Sequence, residues 1–193
     1  MQCRNVRSVV EHVFVPAAAA EHVRILGIDP GTASTGFGVV DRHGVGNLVP
    51  VWYDCLRTKP SEPMQDRLMR IAGGVRAAIE QLQPHAVAIE ELFFGANGKA
   101  ALAVGQARGV CILACAEAGV PVYEYTNNAI KQAVTGYGRA DKQQVMEMVR
   151  VQLRMTEIPR PDHAADALAA AITHAGAMGV GLASARARGP VTR

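Results

Sequence analysis

At 193 residues, with 49% hydrophobic and 19% charged side chains, the chain is sized for one domain around a single core and is not a disordered polymer. The formal charge of +3 belongs to the ends: Arg186, Arg188 and Arg193 lie near the C-terminus, Arg4, Arg7 and Arg24 oppose Glu11 and Glu21 at the start, and residues 25–179 carry −1. Net charge therefore announces no polyanionic partner, and a nucleic-acid surface would have to be a local patch.

In chain order, residues 1–24 are expected to be a loosely ordered extension, because Glu11 and His12 interrupt the apolar stretch around "VFVPAAAA". "ILGID", "GFGVVD" and "LVPVWYDCLRT" read as three strands with short Gly-, His- and Asn-containing gaps, the pattern of an antiparallel meander. Helical spacing follows: Leu68, Ile71, Val75, Ile79 and Leu82 share a stripe, and Pro84 ends it. "AVAIEE" is a fourth strand ending in two carboxylates. The loop "LFFGANG" leads into a long helix, "KAALAVGQARGVCILACAEAG", apolar on most sides, with Ala101, Gly105, Ala107 and Gly109 expected on an outer face that lets a second helix approach. After the strand "VPVYEY", the segments "NNAIKQAVTG", "RADKQQVMEMVRVQLR" and "PDHAADALAAAITHAGAM" are helical, and residues 180–193 are expected to be a basic, flexible tail. Residues 25–179 thus predict one α/β domain with a mixed five-stranded sheet flanked by helices. No apolar run reaches the roughly 18 residues of a membrane span. The four cysteines lack zinc-site spacing and read as reduced, buried thiols of a cytoplasmic protein.

The chemistry concentrates in a few carboxylates. Asp29 ends the first strand and is surrounded by Gly27, Gly31, Gly36 and Gly38; Glu90 ends the fourth strand; Asp166 lies in the first turns of the last helix. Strand ends on one edge of an open sheet converge where ligands bind. Two chemistries fit "GIDPGTASTG". Its glycines could cradle a nucleotide phosphate, as in an actin-like or sugar-kinase-like phosphotransferase, or Asp29 could be the first oxygen ligand of a divalent cation site with Glu90 and Asp166. Asp162, after Pro161, reads as an ordinary helix cap, and Glu91 should point away from Glu90.

Four ordered segments, "GIDPGTASTGFGVV", "IEELFFGANGKAALAVGQARGV", "IKQAVTGYGRADKQQV" and "HAADALAAAITH", together resemble the RuvC family of Holliday junction resolvases. The resemblance runs from about residue 25 to residue 178. It implies a ribonuclease H-like fold and a homodimer that resolves four-way DNA junctions by two symmetric, Mg²⁺-dependent cuts. Two ions per subunit are expected, and by ligand chemistry Mn²⁺ is expected to substitute and to be preferred at limiting metal. It also implies a branch-migration complex of the RuvA and RuvB type as a partner. Residue by residue, it makes Asp29, Glu90, His163 and Asp166 metal-binding and catalytic, with His163 at a position that is Asp in many members. It makes Phe93 a base-contacting aromatic and Lys131 and Lys142 DNA contacts. A junction-binding protein with weak catalysis is the alternative that His163 keeps open.

Overall fold

The computed structural model describes residues 22–44, 46–91 and 98–187. Among them, strands β1 (His22–Asp29), β2 (Ser34–His43) and β3 (Asn47–Arg57) form the meander, helix α1 (Met64–Leu82) crosses to β4 (Ala86–Glu90), and α2 (Gly98–Glu117) crosses to β5 (Val122–Tyr125). Helices α3 (Asn127–Thr135), α4 (Lys142–Gln152) and α5 (Asp162–Ala187) complete the chain order. The sheet order is β3-β2-β1-β4-β5, antiparallel from β3 to β1 and parallel from β1 to β5. This is the mixed five-stranded sheet that the meander and the strand–helix–strand alternation predict. Two limits move: β1 begins at His22, inside the expected extension, and α5 runs to Ala187, into the expected tail.

The strands have a residue period of two, so the sheet has two distinct faces. Leu26, Ile28, Phe37, Val39, Val87 and Ile89 face one side and pack on α1 and α2. Ile25, Val40 and Ala88 face the other and pack on α3, α4 and α5. Asp29 and Glu90 have the parity of Ile25 and Ala88, so both carboxylates emerge on the α5 face. Cys55, Cys111 and Cys115 are buried free thiols. Burial pushes Cys111 up to about 12 and Cys115 up to about 11, so these are inert core residues.

Helix ends are fixed by local chemistry. Thr126 caps α3 by accepting from the Ala129 amide, and Gly136 closes that helix with a left-handed φ of 76°. Asp141 and Gln144 form a reciprocal capping box at the start of α4, which sets Lys142 as its first residue. Helix α2 corrects one expectation. Ala101 and Ala107 are buried, Gly105 is half-buried and Gly109 is exposed as expected; the outer stripe is Leu102, Gln106, Gly109 and Leu113, with the two leucines 66% and 55% exposed. The helix is apolar or small almost all round, so sequence periodicity did not reveal which side faces solvent.

Candidate functional site

The glycines around Asp29 have a structural purpose different from phosphate approach. A Cβ built on Gly27 would lie 1.8 Å from the carbonyl oxygen of Ala167, and one on Gly36 would lie 1.9 Å from that of His163. On Gly38 it would lie 2.6 Å from the Leu168 amide nitrogen. These three glycines make a flat track on β1 and β2 along which the α5 backbone lies. That close approach brings His163 and Asp166 to the end of β1. With the track filled by α5, Gly27, Gly36 and Gly38 do not cradle a nucleotide phosphate. The turn after Asp29 is strapped separately: Thr35 Oγ1 donates to the Gly31 carbonyl at 2.8 Å, and Thr58 Oγ1 donates to the Thr32 carbonyl. The Thr58 amide donates to Ala33, and buried Arg67 donates to Thr58 Oγ1 at 2.8 Å.

Asp29, His163 and Asp166 each offer a ligand atom, and these atoms lie within 4.8 Å of one another. His163 Nδ1 is 2.6 Å from Asp29 Oδ2. The hydrogen bond to Asp29 raises the imidazole above its ordinary value of 6.5, against the opposing effect of burial. Asp166 is also raised, first by burial and then by the charge of Asp29, while Lys142 Nζ donates to it at 3.1 Å. Glu90 stands beside this group. Burial raises its carboxyl most, Asn127 lowers it by donating a hydrogen bond, and Asp29 and Asp166 raise it further by like charge. Desolvated carboxylates that repel one another, with a nitrogen donor among them, could hold a divalent cation, and hard oxygen ligands suit Mg²⁺ or Mn²⁺.

A cleft of about 220 Å³ opens beside these groups, lined by Glu90, Asn127, Lys131, Lys142 and Asp166 among others. Lys131 and Lys142 therefore share one cleft with two of the carboxylates, although they come from different helices. Asp162 is the first residue of α5. Its carboxylate accepts from Arg160 at 2.9 Å and faces Lys142 at 3.7 Å, apart from the three-residue ligand group. Glu91 is exposed, and its amide donates to the Tyr125 carbonyl. Phe93 lies outside the described residues. Two groups at the site had no sequence signal: Asn127, whose amide reaches Glu90, and Arg108, whose Nε donates to the Glu90 carbonyl at 3.3 Å while its guanidinium pairs with Glu124. Neither belongs to a spaced motif, and both act across elements.

The family model described as "Crossover junction endodeoxyribonuclease RuvC" matches residues 25–174. A protein of that name from Chloroflexus aggregans is 58% identical over 153 residues, 79% of this chain and 93% of its own length. One from Desulfitobacterium hafniense is 56% identical over 151 residues, 78% of this chain and 91% of its own. Among solved structures, Thermus thermophilus RuvC in complex with a Holliday junction substrate superposes with a TM-score of 0.79 at 42% identity, covering 83% of this chain and 97% of that one. The yeast mitochondrial Holliday junction resolvase Ydc2 superposes with a TM-score of 0.58 at 14% identity, covering 89% of this chain and 85% of that one, and shares the fold. The sequence resemblance and the ribonuclease H-like architecture are both borne out. The chain belongs to the RuvC family of crossover junction endodeoxyribonucleases.

Proposed function

We propose that the protein is a metal-dependent endonuclease that resolves four-way DNA junctions. The observation that supports this most is the grouping of Asp29, His163 and Asp166 within 4.8 Å, with Glu90 and two lysines in the adjoining cleft. In this reading Asp29, Glu90, His163 and Asp166 hold Mg²⁺ or Mn²⁺. When bound, such cations activate a water for attack on the phosphodiester and stabilise the leaving oxygen. The chain's own groups do the rest. Lys131 and Lys142 supply positive charge to backbone phosphates, and Lys142 exchanges its contact with Asp166 for one with DNA. Metal needs ionised carboxylates and a neutral His163, and these groups are raised, so cutting should weaken as pH falls.

Two symmetric cuts need two sites at fixed separation, and the stripe of Leu102, Gln106, Gly109 and Leu113 is the proposed homodimer interface. Two leucines more than half exposed on the solvent-facing side of one helix support a partner surface there. Phe93 is assigned to base contacts at the junction, and a RuvA- and RuvB-type motor to branch migration, both by family membership. Among the described residues no helix is long and apolar enough to cross a membrane.

The deciding experiment offers a synthetic four-way junction and a matched linear duplex, each with Mg²⁺ and with Mn²⁺. Paired nicks in the junction alone support the reading. Junction binding without nicks in either metal would leave a binding protein, and equal cutting of duplex would remove structure selectivity.

A further inference from the structure

Among the described residues each of the three carboxylates at the site meets a side-chain partner, and the three partners differ in kind. Asp29 faces His163 Nδ1 at 2.6 Å, Asp166 accepts from Lys142 at 3.1 Å, and Glu90 Oε1 accepts from Asn127 Nδ2 at 2.7 Å. The imidazole and the ammonium have their own business with metal and phosphate. The Asn127 amide is neutral, and a carboxylate can only accept, so the NH₂ group must be the end turned toward Glu90. Its remaining capacity is to direct.

The backbone makes that contact reproducible. Glu90 pairs in register with Tyr125, and the Glu91 amide donates to the Tyr125 carbonyl at 2.8 Å. Asn127 follows Tyr125 by two residues as the first residue of α3, behind the Thr126 cap. Arg108 Nε donates to the Glu90 carbonyl at 3.3 Å. The end of β4 is therefore fixed, and what stays free is rotation of a side chain one methylene longer than those of Asp29 and Asp166. Asn127 ties down one Glu90 oxygen, Oε1, and leaves the other, Oε2, without that contact, on a side chain that lines the cleft with Asp166. Lys131, one turn later on α3, lines the same cleft.

We propose that Asn127 is a positioning residue for Glu90: it presets the carboxylate so that metal meets an ordered ligand. This rests on the metal-site reading above. The test titrates Mn²⁺ into the full-length protein, following free Mn²⁺ by electron paramagnetic resonance, and measures junction cutting across the same metal range. Groups that orient ligands typically move metal affinity by about 10- to 100-fold, and an exposed one belongs near the lower end, so Asn127→Ala should raise the Mn²⁺ needed for half-occupancy by about tenfold. The cutting deficit should shrink as metal is raised. Asn127→Gln, which keeps the donor, should recover most of the affinity. Asn127 is exposed, so both variants should melt like wild type without metal. A Mn²⁺ titration of Asn127→Ala that overlays wild type, or equal impairment of Asn127→Gln and Asn127→Ala, overturns the proposal. Glu90→Gln separates the two levels: if it weakens Mn²⁺ binding while Asn127→Ala does not, only the positioning role falls. If Glu90→Gln binds Mn²⁺ like wild type, the assignment of Glu90 as a ligand falls, and the positioning role with it.

Discussion

His163 Nδ1 and Asp29 Oδ2 lie 2.6 Å apart, joining the start of α5 to the end of β1 across 134 residues of sequence. The contact ties together two demands. Metal needs a neutral imidazole, whereas Asp29 favours a protonated one and raises it above 6.5. In the metal-free protein, protonated His163 adds stability that is fully present below 6.5 and is lost as pH rises through the raised value. Protons therefore compete with metal from above pH 6.5 downward, and the metal required for half-maximal cutting should climb as pH falls. His163→Asp should lose less activity between about pH 7.5 and about 6, and should favour Mg²⁺ relative to Mn²⁺ more than wild type does, since nitrogen ligation favours Mn²⁺. An unchanged acid limb and metal ratio, with Asp162→Asn inactive, would transfer the ligand role to Asp162.

The buried carboxylates carry a stability cost. Glu90 and Asp166 are raised above their ordinary 4.5 and 3.8, chiefly by burial. A carboxyl raised in the folded state holds its proton better folded than unfolded, so the group loses stability as pH rises through the raised value. Above that value each is ionised at a penalty. Glu90→Gln and Asp166→Asn should raise the melting temperature of the metal-free protein at pH 7.5 and make no difference, or a smaller one, near pH 4. Cutting should be abolished in these variants and in Asp29→Asn, while junction binding persists through phosphate contacts. Wild-type cutting by any of the three would remove that residue from the site.

The glycine track makes a prediction about packing. Gly36→Ala puts a methyl group 1.9 Å from the His163 carbonyl oxygen, which is backbone and cannot rotate aside. The variant should be destabilised by about 3 kcal/mol or more, the upper part of the range for overpacking. Because α5 must lift, His163 and Asp166 should lose register with Asp29, and Mn²⁺ affinity should fall in any protein that remains folded. By contrast, Gly73→Ala on α1 meets open space and should be neutral or stabilising by up to about 1 kcal/mol. Equal melting of the two variants would show that the track is not tight.

The α2 stripe separates association from folding. A Cβ on Gly109 meets nothing within 4 Å, so Gly109→Arg fits the monomer. Together with Leu113→Glu it should leave the metal-free melt of a dilute sample nearly unchanged, shift sedimentation from dimer to monomer at micromolar concentration, and uncouple the two cuts. A wild type that sediments as a monomer while making paired cuts contradicts the interface. Ala107→Leu makes the opposite point, since Ala107 is fully buried against the sheet and the change should cost about 1–3 kcal/mol.

Local pattern determined a large share of this protein. Element types and order follow from a period of two in the strands and of 3.6 in α1, and from Pro84 and Gly136 as stops; the sheet order then follows from the meander and two crossovers. Asp29, Glu90 and Asp166 stood out because a carboxylate at the end of a buried strand or in the first turns of an apolar helix is costly without a use. Other features were decided only by contacts between distant segments. Gly27, Gly36 and Gly38 looked like a phosphate loop because sequence shows that a side chain is missing, not what occupies its place; the occupant is the backbone of α5, more than 120 residues away. The outer face of α2 differs from the expected one at Ala101 and Ala107 for a related reason. Its residues are small or apolar on almost every side, so hydrophobic contrast does not orient it, and only tertiary packing puts Ala101 and Ala107 inside and Leu102 and Leu113 outside. Asn127 carries no pattern at all: its amide meets Glu90 because β4 and β5 pair in register, a relation that exists only after the sheet has formed.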